Sequence, residues 1–268
     1  MVRVLGVGER GIKTDERDAR KLSEVSTRID LPSVHLPSEM SRQRKALCNS
    51  RQALVQSRTK LTNHIRGYLR THTIVLPKGN TSTFGPRVEK ALLARPDGMP
   101  EHIRQVLRCV DVLNEQIKAA DQELVAMVDH DPVCKRLMSV PGVGPVIALR
   151  FVAVIDEPGR FRHAHDVMSY LGLTPGENSS SSRKQRTGIT KAGATDLRFA
   201  LMQGAWSAIR VRHGDPMVRW ALQIATRRNR FVAATALARK LVGILFAIWR
   251  DGGTYEPQRG AKALEVAA

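Results

Sequence analysis

The chain has 268 residues, 42% of them hydrophobic, enough to build cores for one large or two ordinary domains, which excludes a chain disordered throughout. Its 43 Lys and Arg against 25 Asp and Glu leave a net charge of +18, the balance of a protein that meets a polyanion, because each neutralised phosphate releases condensed counterions. Cys48, Cys109 and Cys134 are an odd number, far apart and in no C-x-x-C pair, so neither a disulfide frame nor a zinc site is expected. The opening segment is too short for a signal peptide and the apolar run Leu241 to Trp249 too short to span a bilayer, so a cytoplasmic protein is expected. Its basic residues are spread over several helices and do not flank an apolar anchor, which favours nucleic acid over a membrane.

Residues 1 to 12 have room for one short strand. Thr14-Asp15-Glu16-Arg17-Asp18 then predicts a helix start, with a hydroxyl cap and acids in the first turn, running to about Ser26. Pro32 and Pro37 bracket an extended segment. From Ser38 to about Arg70 a basic helix is expected, with Leu47, Leu54, Leu61 and Tyr68 every seven residues and Arg51 and Arg58 among the cations of its other faces. The Gly/Pro/Thr-rich stretch from Leu76 to Pro86 reads as a loop. From Ile103 onward Val106, Val110, Leu113, Ile117, Ala120, Leu124 and Met127 alternate three and four apart, a coiled-coil pattern satisfied by the preceding helix or by a second copy of the chain. A C-terminal domain begins near Asp131-Pro132, with helices expected over 133–140, 145–155, 164–171, 194–211, 215–226 and 231–250, and a frayed tail after Asp251.

Three segments could carry chemistry. Val140-Pro141-Gly142-Val143-Gly144-Pro145 places two glycines before a helix that opens on proline. Such a turn can hold a phosphate on its amides, as a helix-hairpin-helix does, or simply close a tight helical hairpin. Arg150, Arg160 and Arg162 nearby favour contact with the DNA backbone. Asp15 and Asp18, three apart in a helix, could hold magnesium jointly with acids from elsewhere, or serve as ordinary dipole partners. The polar stretch Thr174 to Lys184, continuing through Gly188-Ile189-Thr190-Lys191, contains four serines, Ser179 to Ser182, and is crowded by Arg183, Lys184, Arg186, Lys191 and Arg198. It reads as a flexible loop, or as a nucleophile among cations able to neutralise a scissile phosphate. His163, His165, Asp166 and His213 have no metal-binding spacing. Trp206, Trp220 and Trp249 fall on apolar helical faces and read as core more readily than as base-stacking platforms, and with aromatics at 4% a single-strand stacking surface is not expected.

In this order the features resemble the DEDD-type insertion-sequence transposases. The resemblance rests on Leu137 to Pro145, Arg160-Phe161-Arg162, Tyr170 to Pro175, the serine stretch, Gly188-Ile189-Thr190-Lys191 and Leu197-Arg198. Lys13 to Ala19 is similar to the family's K-T-D-x-x-D-A signature, which implies that Asp15 and Asp18 are the last two acids of a magnesium-binding set. The first two lie upstream of that signature in the family, so the chain is expected to lack them and to be weakly active or inactive in cleavage. The resemblance further implies Ser180, with Ser179 as fallback, as an attacking nucleophile, although Ser181 stands where the family has glycine. It implies DNA and a structured noncoding RNA as partners, and a homo-oligomer is expected. Phosphate contacts are expected from Gly142, Gly144, Arg183, Lys184, Lys191, Arg198, Arg51 and Arg58. The expected fold is mainly α, in four parts: a remnant of a RuvC-like α/β domain over 1–36, a basic coiled-coil hairpin over 37–130, a compact all-helical transposase domain over 131–251 with a helix-hairpin-helix-like turn, and a disordered tail over 252–268. A non-catalytic DNA- or RNA-binding protein, or a coiled-coil assembly factor, are the readings that dispense with Asp15 and Ser180.

Overall fold

A computed structural model describes residues 15–28, 34–177 and 186–257. The chain forms two compact units, residues 1–37 and residues 38–268. In the first, α1 spans Asp15–Arg28, matching the helix expected from the acidic start; the strand anticipated within residues 1–12 lies outside the described residues.

The second unit is mainly helical. Helix α2 (Glu39–Thr71) opens on Ser38, whose hydroxyl accepts the Ser41 amide at 3.1 Å, satisfying one of the amides that a helix start leaves without a partner. Helix α4 (Glu101–Asp129) returns antiparallel beside it. Residues 51 and 58 of α2 face 121 and 114 of α4, and residue 44 faces 131 just beyond its end, so rising numbers on one helix meet falling numbers along the other. The far end of the pair is closed by α3 (Phe84–Leu93), where Ile65, Leu69, Phe84, Val88, Leu92, Ile103, Leu107 and Val110 form a small core of their own. Helix α3 falls at the end of the stretch read as a loop, because Pro86 lies in the first helical turn, where its missing N–H costs nothing.

The main core sits at the other end of the hairpin. It joins Cys48, Leu124 and Val128 to the apolar faces of α5 (Pro132–Leu137), α6 (Pro145–Ile155), α7 (Ala164–Tyr170), α8 (Thr195–Val211), α9 (Pro216–Arg227) and α10 (Arg230–Asp251). Helix α10 packs against α5, α7, α8 and α9. Among the described residues it is the one helix long and apolar enough to cross a membrane, and half of its apolar window is buried here, as the central helix of a core requires. Asp131 accepts the Val133 and Cys134 amides at the start of α5 and pairs with Arg44 of α2, with 8% of its side chain exposed. Hairpin and core are thereby joined by a nearly buried charge pair. Burial pushes the Cys48 thiol up, and burial followed by the Asp131 charge pushes Cys134 up to about 12, so both are held as unreactive thiols.

Two expectations are corrected. The C-terminal region is not all-helical: β1 (Pro175–Glu177) and β2 (Arg186–Ile189) pair antiparallel, Pro175 opposite Ile189 and Glu177 opposite Arg186, with an irregularity between. Thr187 and Ile189 favour an extended backbone, and Gly176 admits Thr187, whose Oγ1 would lie 2.6 Å from an added Cβ. Within the segment assigned to a frayed tail, Tyr255 packs back onto the core: its amide donates to Ser139 Oγ at 2.9 Å and its hydroxyl to Asp215 at 2.9 Å. Burial, then the hydrogen bond to Asp215, holds the Tyr255 phenol above its usual range.

Candidate nucleic-acid interface

Several of the arginines expected on phosphate are used inside the fold. Arg51 pairs with Asp121, and Arg58 donates to Asn114 Oδ1 at 3.1 Å, so both guanidinium groups clasp the α2–α4 seam. Arg150, 4% exposed, donates to the Cys48 carbonyl at 2.7 Å and fastens α6 to α2. Arg198, 9% exposed, donates to the carbonyls of Leu171 at 2.9 Å and Ala192 at 3.0 Å and to Thr195 Oγ1 at 3.2 Å. A buried guanidinium requires such acceptors, and here they lock the base of the β-hairpin. Lys45 and Lys60 of α2 and Lys191 remain at the surface.

The motif run from Tyr170 to Arg198 is therefore architectural as well as distinctive. The Lys191 amide donates to the Gly172 carbonyl at 3.0 Å. Gly172 and Gly193 have φ of +65° and +76°, and a Cβ on them would fall 2.1 Å from the Ala192 oxygen and 1.9 Å from the Tyr170 oxygen. Only glycine fits such an approach of two backbones. The segment between the strands, with Ser179 to Ser182, Arg183 and Lys184, lies outside the described residues.

At the Gly142–Gly144 turn the two glycines part company. Gly142 has φ +84° and leans on α8, where a Cβ would meet the Gly204 oxygen at 2.3 Å and Ala208 Cβ at 2.9 Å. Gly144 has open space around it and caps α6, which begins on Pro145. Close packing accounts for the first glycine; the second leaves room for a backbone phosphate at the positive end of α6.

One group of exposed cations among the described residues had no place in the sequence reading. It lies at the end of the core formed by α8, α9 and α10: Arg210, Arg212, Arg219, Arg227, Arg228 and Arg230 are all exposed. Between Leu197 and Arg250 the sole acid is Asp215, and its carboxylate accepts from the Met217 amide and the Tyr255 hydroxyl. A groove of about 380 Å³ opens beside two of these arginines, Arg210 and Arg230, lined also by Trp206, Ile209, His213, Leu222, Ala225 and Ala233. The doublets Arg210-x-Arg212 and Arg227-Arg228-x-Arg230 were the legible signal. Trp220 and Trp249 pack against the core as expected, with Lys240 over the Trp220 ring at 5.0 Å; burial lowers the Lys240 pKa.

In α1, Asp15 and Glu16 are exposed and position 18 stands one turn on from position 15. Among the described residues no group of three or more His, Cys, Asp or Glu could hold a metal ion.

The profile described as "Transposase IS116/IS110/IS902 family" matches residues 134–216, and a profile of DEDD transposases matches residues 2–74. The transposase for insertion sequence element IS1111A of Coxiella burnetii is 30% identical over 249 residues, covering 91% of this chain and 68% of that protein. The chain belongs to this transposase family. A putative transposase of Sinorhizobium fredii, y4pF/y4sB, is 30% identical over 260 residues, covering 92% of the chain and 65% of its own length. A probable family 20 transposase of Pseudomonas aeruginosa is 28% identical over 254 residues, covering 92% and 75%. The chain thus spans between 65% and 75% of the length of these relatives. Membership makes it transposase-like and supports DNA as its partner. It also corrects one expectation: the DEDD profile and these relatives assign strand chemistry in the family to acidic residues, not to a serine nucleophile. The role given to Ser180, or Ser179, is withdrawn.

Proposed function

We propose that this transposase cuts and rejoins DNA at the ends of an insertion sequence, with Asp15 and Asp18 contributing to an acid set that holds a divalent cation such as magnesium. The observation that carries this reading is the family membership, which extends over 91% of the chain in the comparison with the IS1111A protein and includes residues 2–74, where both acids lie. The donor set is suited to a hard cation, since magnesium takes one or two carboxylates and completes its shell with water and substrate phosphate. When bound, such a cation supplies charge neutralisation at the phosphate under attack.

The chain's own residues bind and orient DNA. The exposed arginines of α8 to α10, with Lys45, Lys60 and Lys191, neutralise phosphates, and the Gly144 end of α6 receives one. We assign residues 1–36 to a RuvC-like nuclease domain, the α2–α4 pair to a coiled-coil element and the Gly142–Gly144 turn to a helix-hairpin-helix-like contact. A structured noncoding RNA and a second copy of the chain complete the partner set: the same cations suit either nucleic acid, and α4 leaves Val112 56% and Val125 41% exposed. The test is excision of a marked element in cells expressing the protein, read by amplification across the rejoined flanks. Rejoined flanks that appear only with the protein are expected, and equal yield without it overturns the reading.

A further inference from the structure

We propose that the groove between α8, α9 and α10 receives an unpaired DNA base, stacked on Phe231 beside the Trp206 ring, while Arg210 and Arg230 hold the phosphates on either side. The inference rests on the DNA-acting role proposed above and specifies which form of DNA this surface takes.

Phe231 is 74% exposed at the start of α10, and its ring meets the half-buried Trp206 ring at 81° with centroids 5.7 Å apart. Phe199, two turns before Trp206 on α8, is 55% exposed, and Val232 is 45% exposed. Large apolar side chains left in water mark a surface that another molecule covers. The groove is lined by Trp206, which Phe231 touches, and is of the size that holds a small planar ring, within the roughly 300–1,000 Å³ of ordinary ligand pockets. Its floor is apolar, from Ile209, Leu222, Ala225 and Ala233, while Arg210, His213 and Arg230 stand in its lining.

That combination selects among occupants. Intact duplex DNA needs only the arginines, because its bases are stacked inside and offer no apolar face to Phe231 and Trp206. An unpaired base offers such a face, with a phosphate on each side of it. A second copy of the chain placed groove to groove would bring Arg210, Arg212, Arg227, Arg228 and Arg230 of the two molecules together, with Asp215 as the sole acid between Leu197 and Arg250 already engaged. Like charges oppose that pairing.

The experiment uses the purified protein and three probes: a short single-stranded DNA carrying a fluorescent aminopurine, the same sequence as duplex, and the same sequence as RNA. Stacking is expected to quench the aminopurine. Phe231→Ala and Arg230→Gln are each expected to weaken single-strand binding about tenfold, with Phe231→Ala leaving duplex affinity unchanged and Phe231→Trp restoring the quench. Both positions are exposed, and circular dichroism verifies the fold of each variant. Single-strand binding and quench unaltered in Phe231→Ala overturn the proposal while leaving the transposase reading intact. Parent protein that binds no DNA in any form overturns both. Two further results also overturn it: tighter binding of the RNA with no quench on DNA, and a dimer that Phe231→Ala dissociates without change in DNA affinity.

Discussion

Strand cleavage by the Asp15→Asn, Asp18→Asn double variant is expected to fall by about a thousandfold, a loss of roughly 4 kcal/mol of transition-state stabilisation, with binding of insertion-end DNA kept within a few-fold of the parent. Asparagine preserves the size of each side chain and removes its negative charge, so a hard cation loses its anionic ligands while α1 keeps its shape. Both residues stand at the start of α1, where a negative charge also favours the helix dipole. That contribution is about 0.3–1 kcal/mol per acid, far too small to account for a thousandfold change. The two causes separate on measurement: helix loss appears in circular dichroism and in DNA binding together, whereas loss of a cation site appears in cleavage alone. Cleavage at the parental rate in the double variant would remove both acids from the chemistry.

The second large effect is structural. Gly142→Ala is expected to destabilise the C-terminal core by about 3 kcal/mol or more, since it combines a left-handed backbone with overpacking. The new Cβ would lie 2.3 Å from the Gly204 oxygen and 2.9 Å from Ala208 Cβ, and neither is the far end of a flexible side chain. The approach is mutual: a Cβ on Gly204 would meet the Gly142 oxygen and Ile147 Cδ1, each at 2.8 Å. The turn and α8 therefore touch backbone to backbone. For a protein of this size the loss amounts to a drop of roughly 6–12 °C in Tm. Gly144→Ala, with nothing within 4 Å, costs at most about 1 kcal/mol, as a weakened cap. Thermal melts that coincide for the two variants would show that close packing does not dictate the glycine at 142.

These two cases mark what the sequence makes legible. The long helices α2 and α4 are readable because their apolar residues keep one period over many turns, and α1 because its hydroxyl-and-acid start is a local signal. Helix α3 is missed because Gly85-Pro86 reads as a breaker when proline in fact occupies a first turn. The β-hairpin is missed because its strands are three and four residues long, too short for alternation to declare itself. The arginines divide for a different reason. Net charge records that cations exist; whether Arg51 meets Asp121, or Arg198 the carbonyls of Leu171 and Ala192, is a tertiary fact with no local trace. One trace was available at the seam, since Arg44, Arg51 and Arg58 repeat every seven residues while Asn114 and Asp121 repeat at the same interval on α4. The family was legible from the order of its motifs. Much of that order turns out to build the hairpin base, through Gly172, Gly193 and Arg198, and the arginine-lined groove of α8 to α10 lies largely beyond those motifs.

Dependence of strand cleavage on a divalent cation is the most direct measurement of the central claim, that Asp15 and Asp18 act on DNA through a divalent cation. Purified protein incubated with insertion-end DNA should cut it in magnesium, weakly as two acids alone imply, stop when the metal is chelated, and resume when magnesium is restored, while DNA binding persists throughout. Cleavage that continues at an unchanged rate in excess chelator would contradict it.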